Sequence, residues 1–144
     1  KAVSSAKFYF FDTGLANALL RRNRLNVGTP EFGDSFEHFV ITEIRAFLSY
    51  TNSHSQMFYW RSTSKIEVDV IITSEKKIWA IEIKSKALIT KKETKGLMAF
   101  AEDFPQAKKI VVTLSGRHHI TENKIECIPI FEFLEDLWSG KLLI

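Results

Sequence analysis

Two adjacent apolar runs that carry acids and an amine at alternate positions constrain this chain more than any other feature. In Glu67-Val68-Asp69-Val70-Ile71-Ile72, strand alternation predicts Glu67 and Asp69 on one face and Val68, Val70 and Ile72 on the other. In Ile78-Trp79-Ala80-Ile81-Glu82-Ile83-Lys84, the same rule gathers Ala80, Glu82 and Lys84, and sends Trp79, Ile81 and Ile83 the opposite way. A tight turn at Glu75-Lys76 would set Asp69 opposite Glu82 and Glu67 opposite Lys84. A slip by one residue would put polar side chains against the apolar face, so the pattern resists it. Directly opposed residues have β-carbons roughly 4.5–5.5 Å apart, and two carboxylates that close repel each other. Two readings of the pair stand open. A hard divalent cation such as Mg²⁺ or Mn²⁺ offsets the repulsion, or the face is partly solvated and Lys84 neutralises it.

The rest of the chain alternates helices and strands, the pattern of a sheet covered by helices. After a short apolar run at residues 7–11, Asp12-Thr13 offers an N-cap for a helix to about Arg22. Thr29-Pro30 starts a second helix, with Pro30 at the tolerated first position. Phe32, Phe36, Phe39, Val40, Ile44, Phe47 and Leu48 then recur at helical spacing to about Tyr50. Gly33 argues for a start nearer Asp34. Strands are expected over residues 57–62, 66–74 and 77–85, rich in Val, Ile, Tyr and Trp. Thr90 and Glu93 form a capping box for a helix to about Phe104, stopped by Pro105. Residues 108–115 and 125–128 read as strands, and Pro129 opens a last helix through Trp138, ended by Gly140.

The 144 residues suit one domain with a real core, at 45% hydrophobic and 26% charged. No apolar run reaches membrane-spanning length. The lone Cys127 excludes an internal disulfide and zinc sites built from cysteine pairs, and suits a reducing cytoplasm. Opening at Lys1 without an initiator Met, the chain reads as the C-terminal portion of a longer protein. A net charge of +3 leans weakly toward nucleic acid. No helix-turn-helix or zinc signature marks a transcription-factor-like binder.

An acidic strand residue, a hairpin and then Glu-x-Lys resembles the PD-(D/E)XK signature of Mg²⁺-dependent nucleases. Here it stands as Val68-Asp69 followed by Glu82-Ile83-Lys84, with Val68 in place of the signature's Pro. Glu37, in Ser35-Phe36-Glu37-His38-Phe39-Val40, matches the Glu of that superfamily's preceding core helix. More narrowly, the chain resembles the uncharacterised domain found C-terminal to an AAA-type P-loop ATPase module in bacteria and archaea. The segments carrying that likeness are residues 7–15, Phe36-Glu37, Tyr59-Trp60-Arg61, Glu67-Val68-Asp69 and residues 80–85.

The resemblance implies an α/β fold with a restriction-endonuclease-like core, a mixed central sheet of about four or five strands flanked by helices. It implies a metal-dependent nuclease hydrolysing phosphodiester bonds in DNA or RNA, with an N-terminal ATPase module as partner. Asp69, Glu82 and Glu37 would hold the Mg²⁺ or Mn²⁺, and Lys84 would orient water or meet the developing negative charge. The alternative is a non-catalytic DNA-binding or partner-docking module that keeps the fold. No Gly-x-x-x-x-Gly-Lys-Ser/Thr stretch exists here, so ATPase chemistry would lie elsewhere.

Other residues carry two readings each. Lys84, Lys86, Lys91, Lys92 and Lys95 could follow a phosphate backbone or form a solvated helix start. Tyr59 and Trp60 suit the core or a sheet edge, or base stacking. Glu67 is expected to pair with Lys84 or Arg61. His118-His119 is assigned no role.

Overall fold

Caps in the sequence set where the first two helices begin. The structure, a computed structural model, describes residues 7–22, 24–51, 53–75 and 77–143. Helix α1 spans Thr13–Leu19, and the Asp12 carboxylate accepts from the Leu15 N–H at 2.7 Å. It stops short of Arg22 because Arg21 adopts a left-handed φ of 54°. Helix α2 runs Pro30–Tyr50, with the Thr29 hydroxyl accepting from the Phe32 N–H at 3.3 Å. Gly33 does not delay its start; Pro30 and the Thr29 cap outweigh one glycine. Phe36, Val40, Ile41, Ile44 and Phe47 form its buried stripe.

The sheet has six strands: β1 (Gln56–Arg61), β2 (Glu67–Ser74), β3 (Lys77–Lys84), β4 (Lys108–Thr113), β5 (His119–Ile120) and β6 (Ile125–Pro129). Their order is β1-β2-β3-β4-β6-β5. The first three are antiparallel neighbours, β3-β4 and β4-β6 are parallel, and β5 returns antiparallel to β6. This is a mixed α/β fold whose six strands exceed the expected four or five. The extra strand, β5, has both residues exposed, so no burial pattern marks it in the sequence.

Helix α3 (Lys95–Asp103) joins β3 to β4, and α4 (Ile130–Trp138) closes the chain's core. The expected capping box does not cap α3. The Thr90 N–H and hydroxyl both donate to the Glu93 carboxylate, closing a turn that ends before Lys95. Gly140, at φ 78°, terminates the α4 segment as expected, and Leu142 and Leu143 then fold back into the core.

Two apolar clusters sandwich the sheet. On one face, α2 and α4 supply Val40, Ile41, Ile44, Phe47, Phe133 and Leu137 against Val70, Ile72, Ile81, Ile110 and Ile128. On the other, Leu97 and Phe100 of α3 cover Val68, Ile71, Ala80, Val111 and Cys127. Each large side chain removed from water here contributes about 1.5–3 kcal/mol. Among the described residues no helix is long and apolar enough to cross a membrane.

The hairpin register is as expected where both strands pair: Val70 opposes Ile81, and Ser74 opposes Lys77. The Glu75-Lys76 turn lies partly outside the described residues. The alternation of β2 breaks once. From Phe58↔Ile71 to Trp60↔Val68, β1 advances two residues while β2 advances three, so β2 carries a bulge around Asp69. Val68 therefore packs on the α3 side with Ile71, away from Val70 and Ile72.

Candidate functional site

The bulge aims a carboxylate across the hairpin. Beyond Val70↔Ile81, Asp69 Oδ2 accepts the backbone N–H of Ile83 at 2.8 Å, a bond from side chain to the neighbouring strand. That contact fixes Asp69 beside Glu82, and both acids are buried, at 8% and 7% exposure. They converge on one ammonium. Lys84 Nζ lies 2.6 Å from Glu82 Oε1 and 3.7 Å from Asp69 Oδ2. Glu82 Oε2 is buried and has no hydrogen-bond partner, an arrangement that costs free energy unless something occupies it.

Glu37 reaches the same cleft from α2. Its Oε1 accepts from the Tyr9 phenol at 2.8 Å and lies 3.4 Å from Lys7 Nζ. The residues on the 7–11 segment were not singled out as site residues by sequence, yet they shape this wall. His38 Nε2 meets the Phe10 carbonyl and holds the segment on α2. Lys7 Nζ also lies 3.8 Å from Glu67, 4.0 Å from Asp69 and 4.5 Å over the Tyr59 ring. Glu67 pairs with Arg61 at 3.1 Å rather than with Lys84, because the bulge turns it away.

All four expected site residues, Glu37, Asp69, Glu82 and Lys84, line one open cleft of about 560 Å³. Lys65, Lys86, Lys92 and Lys95 form its basic rim, while Lys91 lines a separate hollow beside Ile120 and Glu122. Lys86 is held by Glu93 at 2.8 Å. Trp60 belongs to the core side, edge-on to Phe100 at 5.4 Å, so of the two aromatics only Tyr59 touches the site. The helix α3 roof approaches β2 so closely that a β-carbon at Gly96 would stand 1.9 Å from the Glu67 carbonyl oxygen.

Burial is the first cause of the abnormal acidity here. It pushes the Glu82 carboxyl up to about 7, Asp69's charge adds to the effect, and Lys84 opposes it. Asp69 is raised as well, again chiefly by burial. For Lys84, burial acts to lower the pKa, but the charges of Asp69 and Glu82 prevail and raise it. A carboxyl raised in the fold holds its proton more tightly folded than unfolded. Its stabilising contribution is therefore complete below about 4.5 and is lost as pH rises through about 7. Without divalent metal, the protein should lose on the order of 2 kcal/mol between pH 5 and pH 8 from this group. His118, raised by its hydrogen bond to Glu132, acts in the same direction. Thermal melts of the protein and of Glu82→Gln across that range separate the two, and an equal slope in both would refute the Glu82 assignment.

His118, left without a role by the sequence, lies outside the cleft. It bridges Glu132 of α4 and Glu126 of β6, the latter at 3.0 Å, and Lys108 also reaches Glu126 at 2.7 Å. No sequence signal pairs residues that distant.

Among the described residues, no group of three or more His, Cys, Asp or Glu side chains is gathered so that it could hold a metal as it stands. Ammonium groups, of Lys84 and Lys7, lie among these carboxylates instead. The donor chemistry nonetheless fits a hard dication. Mg²⁺ commonly takes one or two carboxylates and keeps several waters, and Glu82 offers an oxygen with no other partner.

None of the curated proteins matches this chain significantly. Among solved structures it is similar to that described as "Crystal structure of protein VC1899 from Vibrio cholerae", at 17% identity and a TM-score of 0.47. That likeness covers 76% of this chain and 32% of the other, so the chain spans about a third of its length. Residues 32–133, from α2 to α4, match the family described as Domain of unknown function (DUF4143). They include Glu37, Asp69, Glu82 and Lys84, and the chain belongs to that family.

Proposed function

We propose that this domain has a PD-(D/E)XK nuclease-like core and hydrolyses phosphodiester bonds in DNA or RNA with a divalent metal, as an appendage of an ATPase module. One observation carries the reading: Asp69 and Glu82 converge on Lys84 in an open basic-rimmed cleft, and Glu82 keeps a buried oxygen unpartnered. Structural economy alone does not favour two buried acids side by side.

Asp69 and Glu82 would hold Mg²⁺ or Mn²⁺, with Glu37 contributing directly or through water. The chemistry such an ion supplies is a water of lowered pKa and neutralisation of charge at a phosphoryl oxygen. Lys84, oriented by Glu82 at 2.6 Å, would meet the negative charge that develops as water attacks. Lys65, Lys86, Lys92 and Lys95 would follow the flanking phosphates, making binding salt-dependent.

The test is cleavage of plasmid DNA, single-stranded DNA and RNA with Mn²⁺ or Mg²⁺. Activity should vanish in chelator and fall about 10²–10³-fold in Lys84→Ala, with folding checked by circular dichroism. No cleavage of any substrate, together with no thermal shift on adding metal, would defeat the proposal. That result favours a docking module, a reading supported by the exposed apolar side chains Phe8, Phe11, Leu19, Leu20 and Val27 around α1.

A further inference from the structure

Lys7 occupies an unusual place for an ordinary surface lysine. Its ammonium stands between three carboxylates, 3.4 Å from Glu37, 3.8 Å from Glu67 and 4.0 Å from Asp69. None of these is a close contact, whereas Lys84 sits at 2.6 Å from Glu82. A tightly made ion pair has N–O separations of about 2.7–2.9 Å. Lys7 is thus held by the sum of several charges and by the Tyr59 ring, not by one partner. Its side chain is 29% exposed, so it can swing out to water.

The backbone that delivers it is anchored separately. His38 holds the Phe10 carbonyl, Tyr9 donates to Glu37, and the Tyr9 ring packs on His38 at 5.6 Å. Removing the ammonium from the cleft therefore requires rotation of one side chain and no detachment of the segment.

We infer that Lys7 is a built-in, exchangeable counter-cation: its ammonium fills the charge deficit of the cleft, and a divalent cation must displace it to reach Asp69 and Glu37. The inference rests on the metal reading above and adds its regulation. Both cations answer the same need at the floor of the cleft, where Glu37, Glu67, Asp69 and Glu82 are met within 4.0 Å, among the described residues, by Lys84, Arg61 and Lys7 alone, the other lysines standing at the rim. The two cannot occupy the cleft together without mutual repulsion. Lys7 lowers the repulsion among the acids of the apo cleft and sets the metal concentration at which it fills.

The experiment is Mn²⁺ titration by calorimetry, in parallel with thermal melts in chelator, on the protein, Lys7→Met and Lys7→Arg. Removing a charge that competes for the same carboxylates should tighten Mn²⁺ binding by about tenfold or more in Lys7→Met. Lys7→Arg, which keeps the charge, should bind as the unaltered protein does. In chelator, Lys7→Met should melt lower than the unaltered protein, and Mn²⁺ should restore more of the difference. Equal or weaker Mn²⁺ binding by Lys7→Met overturns this inference while leaving the metal site in place. Absence of Mn²⁺ binding in all three proteins overturns both.

Discussion

Glu82→Gln is expected to abolish the proposed phosphodiester cleavage, by about a thousandfold or more, while making the protein more stable at pH 8. Glutamine keeps the shape of Glu82 and an oxygen that can accept from Lys84, now 2.6 Å from Glu82 Oε1. It removes a negative charge that is buried beside Asp69 and whose carboxyl titrates near 7. The gain should be on the order of 1–2 kcal/mol, read as a raised melting temperature in chelator. The thermal shift that the proposed metal site predicts should disappear at the same time. If Glu82 were simply half of a structural ion pair, the result would be reversed. Breaking a buried pair costs about 3–5 kcal/mol, because the remaining charge is stranded. Lys84 is not stranded here, since Asp69 lies 3.7 Å away. A destabilised Glu82→Gln protein would thus sink the idea that this acid is retained for chemistry.

Gly96→Ala should destabilise the fold by about 3 kcal/mol, the upper range for overpacking. In an open helix the same change would stabilise by up to about 1 kcal/mol, because alanine is the better helix former. Space decides the sign. The added β-carbon would stand 1.9 Å from the Glu67 carbonyl oxygen, 3.1 Å from its carbon and 3.4 Å from Val68 Cγ2. Two of these atoms are backbone and cannot rotate aside, so α3 must lift from β2. Leu97 and Phe100 would then lose contact with Val68 and Ile71 on that face of the sheet. Denaturant unfolding measures the loss, and an unchanged midpoint would mean that α3 tolerates displacement.

Much of this was legible in the sequence because the physics is local. Caps at Asp12 and Thr29 sit where helices α1 and α2 begin, and the Phe-Val-Ile spacing of α2 marks its buried stripe. Period-two alternation placed Glu82 and Lys84 together and set the hairpin register through Val70↔Ile81. What was not legible depends on departures from those periods or on long-range closure. The bulge in β2 is invisible to an alternation rule, and it is what sends Glu67 to Arg61. Lys7 and Tyr9 come to Glu37 across about thirty residues of chain with no pattern linking them. The Thr90-Glu93 capping signature was real chemistry in the wrong place, since its hydrogen bonds close a turn ahead of α3.

The lone thiol offers a practical dividend. Cys127 lies on β6 under the α3 face, 1% exposed, and burial raises its pKa. A thiol-specific reagent can reach it only when the sheet opens, so labelling kinetics would report opening free energy directly. With a single cysteine in the chain, that signal has no second source.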